Sequence, residues 1–140
     1  MGTPEIALPI LERLVEGRYN IVGVYTKPDR RAGRGRHITP SPVKKAAINH
    51  GIPVYQPASL RNDESARAEL KQIKPQLVVV AAYGLFLPPD ILECPQFGCL
   101  NLHPSILPRH RGPSPVATAI LVGDQKTGIS IIKLDEGMDS

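Results

Sequence analysis

One apolar run near the middle of the chain constrains the fold more than any other feature. Residues 77–82 read Leu-Val-Val-Val-Ala-Ala, with no alternation of polar and apolar side chains. A strand that is covered on one face alternates, whereas a strand of a parallel sheet is buried on both faces and does not. Parallel strands are joined by crossover connections that are usually helices. The run therefore predicts an α/β fold built on a parallel sheet.

The segments around this run alternate between helix and strand patterns. Helices are predicted for residues 4–16, 42–49, 61–74, 88–92 and 113–121, with Thr3 as the first N-cap. In the last of these helices we expect Val116, Ala119 and Ile120 to face inward. Strands are predicted for residues 20–26, 52–55, 77–82, 99–103 and 129–134. This alternation indicates a Rossmann-like, doubly wound and mostly parallel sheet. The 140 residues are enough for one domain with a real core.

Composition narrows the class of protein further. Hydrophobic residues make up 41% of the chain and charged residues 21%, which is typical of a soluble globular protein. No apolar run approaches the roughly 20 residues that span a bilayer, and the first residues do not form a signal peptide pattern. We therefore predict a cytoplasmic protein. Cys94 and Cys99 are too few for a disulfide scaffold or a zinc site, so we predict packing roles for them and no metal.

The candidate chemistry lies on the strand at residues 99–103. Asn101 and His103 are two residues apart, so their side chains leave the same face of that strand. An amide can donate to a developing oxyanion, and an imidazole can accept or return a proton. The strand predicted for residues 129–134 is expected to deliver residues 135–139 to the same sheet edge as His103, so Asp139 is the best-placed carboxylate to orient the imidazole. The alternative is that Asn101 and His103 only cap a strand end and that Asp139 is a solvated residue.

Two loops beside this strand are candidates for ligand recognition. Residues 105–112 form a stiff turn, because Pro104 ends the strand and Pro108 restricts the loop further. The loop at residues 83–86 follows the central strand, and ligands of open α/β sheets bind beyond the carboxyl ends of strands. This loop could wall an aromatic cofactor, or it could simply pack on the domain.

The positive charge of the chain is concentrated in one segment. The net charge is +4, but residues 27–45 hold seven cations and one anion, whereas the rest holds ten cations and twelve anions. We predict a loop for residues 27–42, because Gly, Pro and Arg occur there without apolar periodicity. A solvated loop explains the glycines and prolines, whereas phosphate contacts also explain the one-sided charge. We interpret His37 and His110 as surface residues available to RNA, and His50 as a cation at a helix end.

A known family signature resembles the sequence around the candidate chemistry. Residues 101–108 read Asn-Leu-His-Pro-Ser-Ile-Leu-Pro and are followed by Gly112 and Asp139. This pattern resembles the signature of the formyltetrahydrofolate-dependent formyltransferases. The resemblance implies that Asn101 and His103 stabilise a tetrahedral intermediate, while Asp139 supports His103 and assists proton removal from an attacking amine. It also implies a site for 10-formyltetrahydrofolate, with no metal. The residues expected to hold this donor are Tyr83, Gly84, Leu85, Ser105, Ile106, Leu107 and Pro108.

Residues 2–140 most resemble the family members that formylate methionyl-tRNA. The implied reaction moves a formyl group to the α-amine of initiator methionyl-tRNA, which supports translation initiation, and we expect a monomer. The basic segment resembles an insertion that engages the tRNA acceptor arm. The residues expected to bind tRNA are Arg30, Arg31, Arg34, Arg36, Lys44 and Lys45.

These family members begin with a strand before the turn that corresponds to residues 2–4 and end with a further domain. We therefore expect residues 1–140 to be a catalytic domain that is truncated at both ends, with a gap in its sheet. Three alternatives stay open at this point. The site could hydrolyse 10-formyltetrahydrofolate, it could formylate a sugar nucleotide or glycinamide ribonucleotide, or the domain could be inactive and retain only RNA affinity.

Overall fold

A computed structural model describes residues 1–137, in which helices and strands alternate as the sequence predicts. A short 3-10 helix at Glu5–Ala7 precedes five α-helices: α1 (Leu8–Glu16), α2 (Pro42–Asn49), α3 (Glu64–Ile73), α4 (Pro89–Leu92) and α5 (Pro115–Leu121). The seven strands are β1 (Val24–Tyr25), β2 (Arg30–Ala32), β3 (His37–Thr39), β4 (Val54–Tyr55), β5 (Val78–Val80), β6 (Cys99–His103) and β7 (Ser130–Lys133). Within this part of the chain, no helix is both long and apolar enough to cross a membrane.

Parallel pairing forms the centre of the fold. Strand β1 pairs with β4, and β5 pairs with β6, both in parallel. In the second pair Val78 lies opposite Cys99 and Val80 lies opposite Asn101. The carboxyl ends of β5 and β6 therefore meet at one edge of the sheet, and the predicted α/β architecture with a mostly parallel sheet is confirmed.

Residues 1 and 2 connect the two parallel pairs. The Gly2 amide donates to the Tyr25 carbonyl at 3.0 Å, and the Ala81 amide donates to the Met1 carbonyl at 2.9 Å. The Met1 amino group donates to the Val79 carbonyl at 2.7 Å. A side chain at Gly2 would approach the Ala81 carbonyl oxygen to 2.8 Å, so glycine allows this close packing. Among residues 1–137, no other segment lies hydrogen-bonded between β1 and β5.

Apolar side chains form two buried clusters against the sheet. The cluster of α1 and α2 includes Leu11 and Ala47, which pack with Val24 of β1. The cluster of α3 and α4 includes Leu70 and Ile91 and extends to β5 and β6. Cys99 belongs to this second cluster and is completely buried, which confirms its predicted packing role, and both cysteines are free thiols. Each helix pair thus fixes one part of the sheet.

The basic segment is not the loop that we predicted. Strands β2 and β3 form an antiparallel hairpin in which Arg30 lies opposite Thr39. Its turn uses left-handed backbone at Gly33, with a φ of +74°, and at Arg36, with a φ of +50°. Nearly all side chains of the hairpin are exposed. Because no face of the hairpin is buried, its sequence carries none of the apolar alternation by which strands are recognised.

Strand β7 runs in the direction opposite to the one that we expected. It pairs antiparallel with β6, so that Ser130 lies opposite His103 and Lys133 lies opposite Leu100. The Leu134 amide then donates to the Cys99 carbonyl at 2.8 Å. Residues 134–137 consequently follow β7 towards the amino end of β6, not towards His103.

Candidate active site

The two residues predicted to carry the chemistry lie side by side at the carboxyl end of β6. Asn101 and His103 are two positions apart on this strand, so both side chains lie on the same face. The observed bounds of the strand match the prediction. Asn101 is half-buried and His103 is 5% exposed. An amide and an imidazole are thereby held together at the sheet edge where α/β proteins bind ligands.

The ring of His103 is oriented by a backbone group of the following turn. Its Nε2 atom lies 2.9 Å from the carbonyl oxygen of His110. Because a carbonyl can only accept, Nε2 carries the proton in this contact. This hydrogen bond helps to fix the orientation of the imidazole ring at the end of β6.

The turn after β6 is closed by hydrogen bonds that converge on Ser105. Ser105 is completely buried, and its amide donates to the His103 carbonyl at 2.8 Å. Its hydroxyl donates to the Arg109 carbonyl at 2.7 Å. The hydroxyl of Ser130 on β7 donates to the Ser105 carbonyl at 2.7 Å and accepts from the Leu107 amide at 3.1 Å. Ser105 therefore shapes the turn from inside, whereas Ile106 and Pro108 are exposed and Leu107 is half-buried.

The loop after β5 is held in place by contacts with Thr3 and Lys27. Thr3, which we predicted to cap the first helix, instead donates its hydroxyl to the Tyr83 carbonyl at 2.9 Å. It also accepts from the Lys27 amide at 3.2 Å. The Lys27 side chain lies across Gly84, where a Cβ atom would come within 2.7 Å of it. This loop is thus tied to the ends of both parallel pairs.

Only part of that loop faces solvent. The Tyr83 side chain is buried in the core, and this burial raises the pKa of its hydroxyl to about 12. Gly84 is exposed, and Leu85 is half-buried. Phe86, 53% exposed, supports the guanidinium of Arg61 at 4.1 Å from its ring centre. The side chain of Tyr83 is therefore part of the packing, while the backbone around Gly84 borders the sheet edge.

An open pocket of about 310 Å³ lies between α4 and the end of β7. Its lining is mixed in character and consists of Pro89, Leu92, Glu93, Pro95, Gln96, Gly98, Lys133, Leu134, Asp135 and Glu136. None of the residues predicted to hold the formyl donor belongs to this lining.

His110 is not the simple surface residue that we predicted. Its Nε2 atom lies 2.6 Å from Oδ2 of Asp124, and both side chains are almost 90% buried. The other carboxylate oxygen of Asp124 accepts from Nη2 of Arg109 at 2.8 Å. The bond from His110 is the main cause that lowers the pKa of Asp124. His110 and Asp124 are 14 positions apart in the sequence, so neither residue type nor local spacing indicated this pair.

The predicted nucleic-acid contacts lie on and beside the β2–β3 hairpin. Of the six cations that we predicted to bind tRNA, five are exposed: Arg30, Arg31, Arg34, Arg36 and Lys45. Lys44 differs, because its Nζ atom lies 2.9 Å from the Asp29 carboxylate, which also accepts from Gln56 at 2.8 Å. The hydrogen bond from Lys44 is the main cause that lowers the pKa of Asp29. Lys44 therefore braces the base of the hairpin.

The third predicted catalytic residue, Asp139, lies outside the described residues. Within residues 1–137, no three His, Cys, Asp or Glu side chains are grouped closely enough to hold a metal ion.

Comparisons with known proteins cover the whole chain. A family model described as "Formyl transferase" matches residues 1–140. The methionyl-tRNA formyltransferases of Marinobacter nauticus and Dehalococcoides mccartyi are each 54% identical to this chain, over 99% and 100% of its length. The chain spans 44% and 45% of the length of these two relatives.

A solved structure shows the same fold. The phosphoribosylglycinamide formyltransferase from Bacillus halodurans superposes with a TM-score of 0.74 at 22% identity, over 99% of this chain and 72% of that one. The parallel strands and the polar residues at the end of β6 therefore lie in a fold that formyltransferases use. Because the family model matches its full length, the chain belongs to the formyl transferase family.

Proposed function

We propose that the protein transfers a formyl group from 10-formyltetrahydrofolate to the α-amine of initiator methionyl-tRNA. The observation that carries this proposal is the 54% identity, over the whole chain, with relatives named methionyl-tRNA formyltransferase. Residues 1–140 would supply the catalytic domain for this reaction.

The reaction joins the amine nitrogen to the formyl carbon and breaks the bond between that carbon and N10 of the folate. The amine loses a proton and N10 gains one. Asn101 is proposed to donate its amide N–H to the oxyanion of the tetrahedral intermediate, and loss of one such donor typically lowers kcat by about 10²- to 10³-fold. His103 is proposed to move the proton, with Asp139 supporting it. The shared strand face of Asn101 and His103 supports this division of roles.

The formyl donor is proposed to lie between two loops at the sheet edge. Tyr83, Gly84 and Leu85 would contribute mainly backbone groups, because the Tyr83 side chain is buried in the core. On the other side, Ile106, Leu107 and Pro108 would contact the donor, while the buried Ser105 holds their turn in shape.

The basic hairpin is proposed to hold the tRNA. The exposed arginines Arg30, Arg31, Arg34 and Arg36 can neutralise phosphates, and Lys45 extends the charged surface onto α2. Lys44 would contribute mainly through its ion pair with Asp29, which fixes the base of the hairpin. These exposed cations form a surface that suits a polyanion such as tRNA. An enzyme that only hydrolysed 10-formyltetrahydrofolate would not need such a surface.

The decisive assay measures tetrahydrofolate release from 10-formyltetrahydrofolate with and without methionyl-tRNA. Release that requires the tRNA is expected, and it would identify the transferase. Release that ignores the tRNA would contradict the proposal and favour a hydrolase. Replacement His103→Ala should abolish turnover while tRNA binding persists, and turnover near the wild-type rate would remove His103 from the mechanism.

A second assay tests the hairpin through the salt dependence of tRNA affinity. Each phosphate contact contributes roughly 0.7 to 0.9 to the slope of log affinity against log salt. The double replacement Arg34→Ala and Arg36→Ala should therefore reduce that slope by about 1.5. Arg13→Ala is the matched control, because Arg13 is exposed on α1 and paired with Glu16. An unchanged slope in the double variant would show that the hairpin is not the contact.

A further inference from the structure

Lys27 lies at the carboxyl edge of the sheet, between the two parallel strand pairs. It comes two residues after β1 ends, and its amide donates to the Thr3 hydroxyl at 3.2 Å. Its carbonyl accepts from Nε2 of Gln56 at 3.2 Å. Lys27 is half-buried, and its Cε and Nζ atoms lie 2.7 and 2.9 Å from the place that a Cβ atom on Gly84 would occupy. The backbone is therefore fixed from both sides, and the ammonium lies against the loop after β5.

This ammonium forms no ion pair with a carboxylate among residues 1–137. Asp29 is the nearest carboxylate in the sequence, but its oxygens accept from Lys44 at 2.9 Å and from Gln56 at 2.8 Å. Burial of a charge without a counter-ion is unfavourable, because the charge loses contacts with water. A half-buried cation at the edge where α/β sheets bind ligands therefore suits a ligand that carries an anion.

The sheet places this cation close to the proposed catalytic residues of β6. Lys27 reaches the loop after β5, and β6 is the direct neighbour of β5, with Val80 opposite Asn101. Adjacent strands are about 4.8 Å apart, so an ammonium beside Gly84 lies roughly 5–10 Å from the line of β6. One substrate can therefore place an anion at Lys27 and a reacting group at Asn101.

The charge around Lys27 indicates which anion fits. Lys27 is the first of the seven cations in residues 27–45, and the β2–β3 hairpin begins three residues later at Arg30. The positive surface thus continues from the hairpin to Lys27, which favours the repeating phosphates of a nucleic acid. In methionyl-tRNA, about eight covalent bonds join the α-amine to the phosphate on the 5′ side of the terminal adenosine, a reach of roughly 10 Å. That reach matches the separation between Lys27 and β6.

We propose that Lys27 binds the phosphate on the 5′ side of the terminal adenosine of methionyl-tRNA and thereby positions the α-amine beside Asn101. This inference rests on the proposed function, because it concerns the same substrate. The hairpin would bind the acceptor arm at a distance from the reaction, whereas Lys27 would bind the reactive end itself.

The test uses two small substrates that are too short to reach the hairpin. Both are adenosine esterified with methionine at the 3′ oxygen, and only one carries a 5′-phosphate. The wild type should use the phosphorylated compound with a kcat/KM roughly 10- to 100-fold higher, because a hydrogen bond to a charged group typically contributes that much. Lys27→Met keeps the stem across Gly84 but removes the charge, so it should abolish this preference. Lys27→Arg keeps the charge and should retain most of the preference.

Lys74→Met is the matched control. Lys74 is exposed at the end of α3 and precedes β5, so it lies at the opposite edge of the sheet. This variant should keep the wild-type preference. The carboxylates of the formyl donor are the competing anions, and Lys27→Met should leave the KM for 10-formyltetrahydrofolate close to the wild-type value. A rise in that KM, with the preference for the phosphorylated compound unchanged, would assign Lys27 to the donor and overturn the proposal.

Direct binding separates this proposal from the proposed function. In Lys27→Met, the slope of log affinity for methionyl-tRNA against log salt should fall by about 0.7, the value for one phosphate contact on a single strand. Equal use of both small substrates by an active wild type would overturn the proposal. If the wild type does not formylate methionyl-tRNA but the slope falls in Lys27→Met and not in Lys74→Met, the phosphate contact stands and the proposed function fails. An unchanged slope in Lys27→Met would overturn the phosphate contact whether or not the protein is active.

Discussion

Replacement of Ser130 by alanine should loosen the turn that follows β6. The Ser130 hydroxyl makes two hydrogen bonds, to the Ser105 carbonyl at 2.7 Å and from the Leu107 amide at 3.1 Å. Each bond contributes about 1 kcal/mol net, and a buried group left without a partner costs roughly 1–3 kcal/mol. Because Ser105 is completely buried, we expect the free energy of unfolding to fall by about 2–3 kcal/mol. The midpoint of thermal unfolding should fall by roughly 6–10 °C.

Urea unfolding and hydrogen exchange together test this expectation. The Leu107 amide should be protected from exchange in the wild type and should exchange faster in Ser130→Ala, because its acceptor is removed. Ser59→Ala is the matched control, since among the described contacts the hydroxyl of the half-buried Ser59 accepts only from the Asn62 amide, in a solvent-exposed hydrogen bond. We expect a loss of about 0.5 kcal/mol there. A Ser130→Ala protein within about 0.5 kcal/mol of the wild type would refute the reasoning.

Three further predictions concern the core and the titrating groups. In urea titrations, Leu70→Ala should lower the free energy of unfolding by about 2–5 kcal/mol, because Leu70 is only 1% exposed. The control Leu121→Ala, at an 85% exposed position, should change the free energy of unfolding by less than about 0.5 kcal/mol. Burial raises the pKa of Cys99 to about 11, so at pH 8 its thiol should be alkylated about 100-fold more slowly than a free thiol, as measured by peptide mapping. Equal labelling of Cys99 in the folded and the unfolded protein would contradict this expectation. The pKa values of Asp29, Asp90 and Asp124 are lowered in the folded protein, so the contacts of the three ionised carboxylates stabilise the fold above about pH 4. This stabilisation is lost as the pH falls through the pKa values of the folded state. A midpoint of thermal unfolding that does not fall in this acid range would count against those contacts.

Elements that are determined by local sequence could be predicted closely. The bounds of α2 match because Pro42 stands at its first position and the Ser41 hydroxyl accepts from the Lys44 amide at 3.0 Å. The bounds of β6 match because Pro104 ends the strand. The strand predicted for residues 20–26 is shorter, since only Val24 and Tyr25 find partners on the two-residue strand β4.

Features that depend on distant partners could not be predicted in the same way. We expected Val116 and Ile120 of α5 to face inward, yet they are 39% and 73% exposed, and among the three predicted contacts only Ala119 is buried. The helical period identified an apolar stripe, but it could not show how much of that stripe a neighbouring element covers. The β2–β3 hairpin was missed for the opposite reason, because its pairing is made without any buried face.

The register between β6 and β7 explains why the candidate site was only partly visible in the sequence. Asn101 and His103 could be found together because two residues of one strand share a face whatever lies next to them. Ser130 reaches the turn only because it lies opposite His103 in an antiparallel pair. A slip of one residue would bring Ile129 or Ile131 to that position and turn Ser130 to the other face, leaving the Ser105 carbonyl and the Leu107 amide without this partner. The residues that perform the proposed chemistry are thus a local property of β6, whereas those that hold them in place are a property of the tertiary pairing.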